Sequence, residues 1–393
     1  MSPDSLTPTG SYKSWIVIDH SSDGLRAGEG SMVVLNDRSL LLLYSDFVDG
    51  GADESRSNIS SMTSRDAGRT WSRPRRLFDP PPGALNVMSA SVLRLQDGRL
   101  GCVFCVKYSR QHLIPQWCVS CDEGESWSTP EPLTDDIGYF VVTNDRLIQH
   151  SDGTLIVPYA LSTGIDGQEQ YEHWDPAWNA RCGLFFSRDA GKTWERSPHS
   201  ITHTPEVFRM PLHLDPSAQN EAVRYMFDNR LGVFQEPGVE ELSDGTLMMY
   251  IRSSYNIYRC FATHAAAPWT GCDTIRDFHV CMGPQMVRRL PGSDRLMLLY
   301  NDRGTQPFGS PEFSMRTPLS VAFSDDGGRS WMRWGKLEDE SRSYCYCSLL
   351  FDRTHFLTTY YESTTKIDAK GVERRRNLAS LKFGIGDLSL FRT

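Results

Sequence analysis

The stretch that decides the fold is "SRDAGRTW", from Ser64 to Trp71. Nearly the same octet returns as "SCDEGESW" at Ser120, "SRDAGKTW" at Ser187 and "SDDGGRSW" at Ser324. A string that recurs within one chain indicates a repeat architecture. Its Asp and Gly predict a tight turn, because the carboxylate can bond backbone N–H groups and the glycine supplies positive φ. We therefore predict four β-hairpins, each pinned onto a neighbouring sheet by its Trp.

A second repeat consists of a short apolar strand, a turn and another apolar strand. Asp-Gly or a similar pair forms the turn in most copies, which is a strong hairpin signal. The six copies begin at Ser31, Ser89, Asp145, Pro237, Pro284 and Tyr346, and the octets follow the first, second, third and fifth of them. Repeats at intervals of roughly fifty to sixty residues are typical of propeller blades. The sequence thus predicts an all-β, six-bladed β-propeller.

The blades are expected to form one domain over residues 1–393. The strand-like segment "SWIVID", near residues 14–19, precedes the first blade, and we expect it to close the last blade as its outer strand. A longer interval near 203–233 predicts an insertion between the third and fourth blades.

Charge and composition narrow the functional classes. The net charge of −8 and the absence of a run of Lys or Arg argue against a nucleic-acid partner. No apolar leader or long apolar segment stands out, so we expect a cytoplasmic protein with no membrane partner. Four of the ten cysteines, Cys102, Cys105, Cys118 and Cys121, have zinc-like spacing. Positions three apart on a strand face opposite sides, however, and we therefore predict neither a metal nor another cofactor.

The first strands of propeller blades converge on the axis and build one concave site from distant segments. In this chain the starts of those strands are rich in polar residues, namely Glu29, Asn86, Asn144, Asp145, Arg146, Gln235, Glu236, Gln285, Tyr344 and Tyr346. A polar funnel of this kind is suited to a sugar with hydroxyls and a carboxylate. The predicted partner is therefore a carbohydrate, either an oligosaccharide or a glycoside.

Four octets of the form S-x-D-x-G-x-[ST]-W, known as Asp-boxes, on six blades resemble the sialidase (neuraminidase) superfamily over nearly the whole chain. The resemblance implies that Glu236 and Arg252 in "QEPGVEELSDGTLMMYIRS" are a catalytic base and a carboxylate-binding cation. It likewise implies a second such cation at Arg316 and a nucleophile at Tyr346. Tyr344 is the alternative nucleophile if the strand is shifted by two residues. A tyrosine hydroxyl needs a neighbouring base because its ordinary pKa is near 10.

The resemblance to sialidases also implies a catalytic acid, an aspartate on a loop before the first Asp-box. The loop "SDFVDGGADESRSN" offers Asp46, Asp49, Asp53 and Glu54, of which we choose Asp53.

One departure from the sialidase pattern bears on substrate choice. The family places an arginine at the start of the first inner strand, where this chain has Glu29 in "GEGSMVV". A carboxylate there would repel a substrate carboxylate. Arg26 and Arg146 are the nearest compensating cations, but neither is in register.

We therefore predict an exo-acting glycosidase that cleaves a terminal acidic or otherwise polar sugar and is not an ordinary sialidase. The predicted catalytic residues are Glu236, Tyr346, Asp53, Asp145 and Glu29. The predicted substrate-binding residues are Arg252, Arg316, Arg146, Asn86, Asn144, Gln235, Gln285 and Tyr344. If Tyr346 is not the nucleophile, a Glu29/Glu236 or Asp145/Glu236 pair could run the reaction. The alternatives from other classes are a non-catalytic glycan-binding propeller and a polysaccharide lyase.

Overall fold

The computed structural model describes residues 12–162, 180–202, 234–253, 256–277, 279–281, 283–303, 316–367, 373–375 and 379–391. The insertion expected near 203–233 lies outside these residues. Apart from one 3-10 helix at Leu388–Phe391, the regular elements of the described residues are β-strands.

The strands follow one another along the chain with few other elements between them. The first nine are β1 Tyr12–Ile18, β2 Arg26–Val34, β3 Leu40–Phe47, β4 Ser57–Ser64, β5 Arg75–Phe78, β6 Asn86–Arg94, β7 Leu100–Ser109, β8 His112–Ser120 and β9 Glu131–Pro132. The next nine are β10 Tyr139–Val141, β11 Ile148–Gln149, β12 Leu155–Ser162, β13 Ala180–Ser187, β14 Glu195–Arg196, β15 Gln235–Glu241, β16 Leu247–Arg252, β17 Ile257–Ala262 and β18 Thr270–Thr274. The last ten are β19 Met286–Arg289, β20 Leu296–Asn301, β21 Leu319–Ser324, β22 Met332–Lys336, β23 Ser343–Cys345, β24 Leu350–Phe351, β25 His355–Ser363, β26 Thr365–Ile367, β27 Glu373–Arg375 and β28 Ser380–Asp387.

These strands form antiparallel units that follow the sequence repeats. Unit 1 is β2–β5, unit 4 is β15–β18 and unit 5 is β19–β22, each a four-stranded sheet in chain order. Unit 2, β6–β9, and unit 3, β10–β14, belong to one nine-stranded sheet because β8 and β10 pair in parallel at Leu113 and Tyr139. Unit 6 combines β23, β24, β25 and β28 with β1. The chain is thus an all-β protein with a propeller-like arrangement of sheets.

The first strand of the chain pairs with the last. β1 runs antiparallel to β28, with Tyr12 opposite Gly386 and Trp15 opposite Phe383. The Trp15 and Phe383 rings are 5.1 Å apart, and the Trp15 indole N–H donates to the Gly68 carbonyl in unit 1 at 3.1 Å. Unit 6 and unit 1 also meet where the Ala27 N–H donates to the Ala379 carbonyl at 2.8 Å. The first and last described strands are therefore joined in one sheet, which packs on unit 1.

Each Asp-box is a turn closed by its own side chains, as the octet predicts. In the first box the Thr70 N–H donates to Asp66 Oδ1 at 2.8 Å and the Thr70 hydroxyl donates to Asp66 Oδ2 at 2.6 Å. The Ser64 hydroxyl donates to Asp66 and accepts from the Gly68 N–H. The boxes at Ser120, Ser187 and Ser324 repeat this pattern.

The glycine of each box also carries the contact to the preceding unit. A Cβ built on Gly68 would lie 2.4 Å from the Phe383 ring of unit 6, and one on Gly191 would lie 2.4 Å from the Trp117 ring of unit 2. Gly124 and Gly328 meet Leu41 of unit 1 and Met248 of unit 4 in the same way. The octet needs glycine both for its positive φ and because a side chain of the neighbouring unit occupies the space.

Apolar side chains fill the spaces between neighbouring units. One cluster joins Met286 and Leu299 of unit 5 to Phe356 and Tyr360 of unit 6, and another joins Leu184 of unit 3 to unit 4. Within the described part of the chain, no helix is long and apolar enough to cross a membrane.

Candidate active site

The starts of the first strands share an unusual backbone conformation. Glu29, Ser89, Asp145, Glu236 and Tyr346 all have positive φ, between 46° and 62°, although none is glycine. In β2, β6 and β15 this residue coincides with a shift of register, which is a β-bulge. Residues other than glycine occupy this region at a cost that surrounding contacts must offset, and such residues cluster at functional sites. The bulges turn Glu29, Ser89 and Glu236 out of the strand alternation, whereas Asp145 and Tyr346 lie just outside the strands of their units. Because none of the five is a glycine, the sequence carried no sign of this conformation.

Hydrogen bonds between units show that these strand starts meet. The Asn144 amide donates to the Gly30 carbonyl at 2.7 Å and to the Tyr346 carbonyl at 3.1 Å, which joins units 3, 1 and 6. The Ser31 hydroxyl of unit 1 donates to Asp145 at 2.7 Å. The segments predicted to line one axial site therefore lie together, although they are far apart in sequence.

The centre of this region is a tyrosine–glutamate pair. The Tyr346 hydroxyl donates to Glu236 Oε1 at 2.9 Å, and Glu236 is 8% exposed. Burial alone would raise the pKa of Glu236, but Arg252, Arg316 and the Tyr346 hydrogen bond lower it below its ordinary value. Burial and the Glu236 charge raise the pKa of Tyr346 well above 10. At neutral pH the pair is therefore a carboxylate that accepts from a neutral phenol.

Two buried arginines flank this pair. The Arg252 guanidinium forms an ion pair with Glu236 on the neighbouring strand. Arg316 donates to the Tyr361 hydroxyl and the Cys345 sulfur, each at 2.7 Å, and its guanidinium carbon is 5.4 Å from the centre of the Tyr346 ring. The structure thus brings together the four residues that carry the strongest match to the sialidase pattern.

A third buried arginine, which the sequence reasoning missed, lies in the same region. Arg303 is 8% exposed, and its charge acts on the Cys281 thiol together with those of Arg252 and Arg316. It follows the second strand of unit 5, much as Arg252 ends the second strand of unit 4. That correspondence between repeats is the signal that could have identified it.

The Glu29 side chain accepts hydrogen bonds from several neighbouring residues. Its Oε2 accepts from the Ser45 hydroxyl at 2.9 Å and from the Ser89 hydroxyl at 3.0 Å, and its Oε1 accepts from Arg26 at 3.0 Å. The carboxylate is 4% exposed. At the position where the resemblance expects a cation, the chain therefore has a buried carboxyl group with its own partners.

Arg26 extends from Glu29 to the predicted acid. It donates to Asp53 Oδ1 at 2.6 Å and to the Gly51 carbonyl at 3.2 Å. Desolvation would raise the pKa of Asp53, but Arg26 outweighs it and lowers the pKa to about 2. The Asp53 side chain is 67% exposed, so its ionised carboxylate lies at the rim of the site.

The loop that bears Asp53 is fastened from unit 2. The Asn86 amide donates to the carbonyls of Asp53 and Ser55 at 2.8 and 2.9 Å. Lys107, whose side chain is almost fully buried, donates to the Asp53 carbonyl at 3.1 Å, and its burial lowers its pKa. Asn86 therefore positions this loop, and Lys107 is a further residue that the sequence reasoning missed.

Other predicted site residues have structural partners in the described protein. Asp145 accepts from Ser31 and from the Leu349 N–H at 2.9 Å, which ties units 1, 3 and 6 together. Arg146 is 1% exposed and donates to the Gln285 carbonyl at 2.5 Å.

The last three predicted substrate-binding residues differ in their contacts; they are Gln285, Gln235 and Tyr344. The Gln285 amide donates to the Gly283 carbonyl at 2.6 Å, and Gln235 lies opposite Arg252 at the start of β15. Tyr344 packs on Tyr360 in the core, and its hydroxyl lies 3.3 Å from Asp339, not beside Glu236.

Structural comparison places the fold among known proteins. A Dyadobacter fermentans protein of unknown function is 15% identical, with a TM-score of 0.66 over 96% of this chain and 99% of that one. Trypanosoma rangeli sialidase in complex with the inhibitor DANA is 13% identical, with a TM-score of 0.68 over 97% of this chain and 61% of that one. The covalent intermediate of the same sialidase with 2,3-difluorosialic acid has a TM-score of 0.66 at 13% identity, over 95% of this chain and 58% of that one.

The chain therefore spans about three fifths of the length of the trypanosomal sialidase and nearly all of the Dyadobacter protein. These likenesses show a sialidase-like propeller fold. Among curated proteins no sequence matches this chain. The sequence pattern of the BNR repeat-like domain matches residues 108–358, which is more than half of the chain. Together with the four Asp-boxes and the sialidase-like fold, this match shows that the chain belongs to the BNR repeat-like domain family.

Proposed function

We propose that units 1–6 are six blades of one propeller domain, with the nine-stranded sheet counted as two blades. The pairing of β1 with β28 and the packing of unit 6 on unit 1 support a closed ring. The site around Tyr346 would then lie at the axis, where all the blades contribute.

We propose that the protein is a sialidase-like glycoside hydrolase. The observation that carries this function is the 2.9 Å hydrogen bond from the Tyr346 hydroxyl to the ionised Glu236, with Arg252 and Arg316 beside it. A buried phenol next to a carboxylate that can take its proton is an activated nucleophile. The flanking guanidiniums are suited to a sugar carboxylate.

The chemistry follows from these positions. The Tyr346 oxygen attacks the anomeric carbon while its proton moves to Glu236 and the bond to the leaving oxygen breaks. A proton from Asp53 reaches that oxygen. In the second step water, deprotonated by Asp53, attacks the same carbon, the bond to Tyr346 breaks, and Glu236 returns the proton. Because Arg26 keeps Asp53 ionised in the free protein, this role requires substrate binding to weaken the Arg26 pair and raise the pKa of Asp53.

The substrate follows from the charges. Arg252 and Arg316 favour a terminal acidic sugar, whereas the buried Glu29 occupies the place of a further cation. We therefore propose that the enzyme does not act on ordinary sialosides.

The experiment is a parallel screen of aryl sialosides, aryl uronides and neutral aryl glycosides, followed by the variants Tyr346→Phe and Tyr344→Phe. Release of the aryl group from a uronide or another acidic glycoside, lost in Tyr346→Phe and kept in Tyr344→Phe, is the expected result. Robust cleavage of aryl sialosides would contradict the proposed substrate. Unsaturated, ultraviolet-absorbing products would instead indicate a lyase. Sugar binding without turnover would indicate a glycan-binding propeller.

A further inference from the structure

The hairpin formed by β17 and β18, the last two strands of unit 4, carries no Asp-box, in contrast to the corresponding hairpins of units 1, 2, 3 and 5. The corresponding segment is "ATHAAAPW", residues 262–269. Its turn is closed by the Ala267 N–H to the His264 carbonyl at 3.0 Å and by the Ala266 N–H to His264 Nδ1 at 3.3 Å. No carboxylate spans this described turn, so the exposed edge strand β18 lacks the staple that fastens the outer strands of the other four units.

Two cysteines face each other across the strands of this hairpin. In the pairing of β17 with β18, Arg259 lies opposite Asp273 and Phe261 lies opposite Thr270. The intervening β-bulge leaves Cys260 opposite Gly271 and Cys272. Cross-strand residues in antiparallel sheets have Cα separations that a disulfide can bridge.

The two thiols differ in exposure and reactivity, as the thiol that reacts first with an oxidant and the thiol that then forms the disulfide usually do. Cys260 is fully buried, whereas Cys272 is exposed. Hydrogen bonds from the Cys260 thiol and the Tyr258 hydroxyl lower the pKa of Cys272 to about 7, although desolvation opposes this shift. Cys272 is thus substantially a thiolate near neutral pH, and the thiolate is the nucleophilic form.

We propose that Cys260 and Cys272 are a peroxide-sensitive thiol pair that closes to a disulfide and fastens β18 to β17. The Cys272 thiolate attacks hydrogen peroxide, the O–O bond breaks, and a sulfenic acid and hydroxide form. The Cys260 sulfur then attacks the Cys272 sulfur, its proton and the departing hydroxyl leave as water, and the S–S bond forms. In sum, two thiols and one peroxide give one disulfide and two waters.

The covalent bond replaces, in unit 4, the fastening that the Asp-boxes supply in four other units. It limits the freedom of the unfolded chain between the two strands. Oxidation is therefore expected to raise the melting temperature. This inference does not depend on the glycosidase proposal, because the pair is defined within the outer half of one sheet.

The test treats the full chain with hydrogen peroxide at pH 7, alkylates the remaining thiols and maps the peptides by mass spectrometry. The expected result is a linked Cys260–Cys272 peptide and a higher melting temperature that dithiothreitol reverses. Cys272→Ser should abolish both effects. The matched control is Cys121→Ser, which removes the other exposed cysteine of the described residues and should leave both effects intact.

Three outcomes would overturn the proposal. One is a disulfide elsewhere, for example between Cys102 and Cys118, which lie directly opposite each other but are buried. Another is oxidation of Cys272 to a sulfinic acid while Cys260 remains a free thiol. The third is an equal rise in melting temperature in Cys272→Ser. Because Cys272 is exposed, this variant is expected to fold even if Cys260→Ser does not.

Discussion

At the scale of single residues, Glu236 combines three properties that a base for a tyrosine nucleophile needs. It accepts from the Tyr346 hydroxyl, it is buried, and Arg252 holds it ionised. The positive φ of Glu236 and the following Pro237 fix the start of β15, so the carboxylate has little freedom to move. A residue held in this way can take a proton at one place without reorganisation of its surroundings.

Replacement of Glu236 by Gln should reduce kcat by a factor of about 10²–10⁴, because a positioned base contributes about that much to rate. The amide keeps the size of the side chain but cannot accept the Tyr346 proton. Kinetics on the substrate found in the screen and a melting curve measure the effect. Glu241→Gln on the same strand is the control, since its carboxylate accepts from the Ser151 N–H at the far end of β15. Near-parental kcat in Glu236→Gln would remove this residue from the mechanism.

The pH dependence of the reaction follows from the same ion pair. Arg252 lowers the pKa of Glu236 below its ordinary value, and the base must be ionised to act. As pH falls, protonation of this base should therefore cause no loss of kcat/KM above about pH 5, and an acid limb should appear only below the ordinary glutamate pKa of about 4.3. A pH–rate profile checks this expectation. An acid limb with a midpoint above pH 6 would mean that another group controls the reaction.

At the scale of elements, the Asp-box is at once a turn and an inter-unit contact. The carboxylate closes the turn, and the glycine receives a side chain of the preceding unit. Gly191 has a φ of 87° and lies against Trp117, whereas Gly98 has a φ of 89° and a Cβ placed on it would meet nothing within 4 Å. The two glycines have nearly the same φ and differ in the space that surrounds a Cβ at each position.

Gly191→Ala should therefore lower the free energy of unfolding by more than Gly98→Ala does. Both variants strain the backbone, but only the first displaces the Trp117 ring. The extra loss is expected to be about 1–3 kcal/mol, the usual range for overpacking. Denaturant unfolding of the two variants measures it. Equal losses would show that the neighbouring unit does not depend on the Asp-box glycine.

The box carboxylates also give stability a pH dependence. Hydrogen bonds from Thr70 and Thr193 lower the pKa values of Asp66 and Asp189 to about 2. Because the folded pKa lies below the unfolded value of about 3.9, this stability is present above pH 4 and is lost as pH falls toward 2. Asp189→Asn should melt a few degrees lower at pH 7 and lose less stability between pH 4 and pH 2 than the parent. Thermal melts across this window test the expectation, and identical acid sensitivity would contradict it.

At the scale of the whole molecule, β1 joins the first and last described parts of the chain. Trp15 packs on Phe383 of β28 and donates to Gly68 of the first Asp-box, so one side chain contacts both unit 6 and unit 1. Sheets that end in an unpaired edge strand expose backbone groups, and this pairing covers one such edge.

Trp15→Ala should lower the free energy of unfolding by about 2–4 kcal/mol, less than the roughly 3–5 kcal/mol lost with a fully buried ring, because Trp15 is only half-buried. Lys13→Ala on the same strand is the control, because the Lys13 side chain is exposed. Calorimetry of the two variants checks whether unfolding also becomes less cooperative. A melting curve for Trp15→Ala that matches that of Lys13→Ala would show that β1 contributes little to closure.

The sequence by itself determined the elements whose bonds are local. An Asp-box closes with partners no more than four residues apart, so "SRDAGRTW" predicts its turn wherever it occurs. The repeat of inner strands likewise placed Glu236 and Tyr346 at one predicted site, because the starts of those strands meet at one place, and the resemblance to sialidases added Arg252 and Arg316 to it.

Only the tertiary structure decided which side chains contact one another in the candidate active site. Strand alternation puts Tyr344 and Tyr346 on one face, yet the break in the strand and the positive φ at Tyr346 send its hydroxyl to Glu236 while Tyr344 enters the core. Glu29 gains its partners from Ser45 and Ser89, and Arg303 of unit 5 lies where its charge and that of Arg252 of unit 4 act on one thiol, that of Cys281. The physical reason is that β-bulges and contacts between units depend on residues distant in the chain, and no local pattern records them.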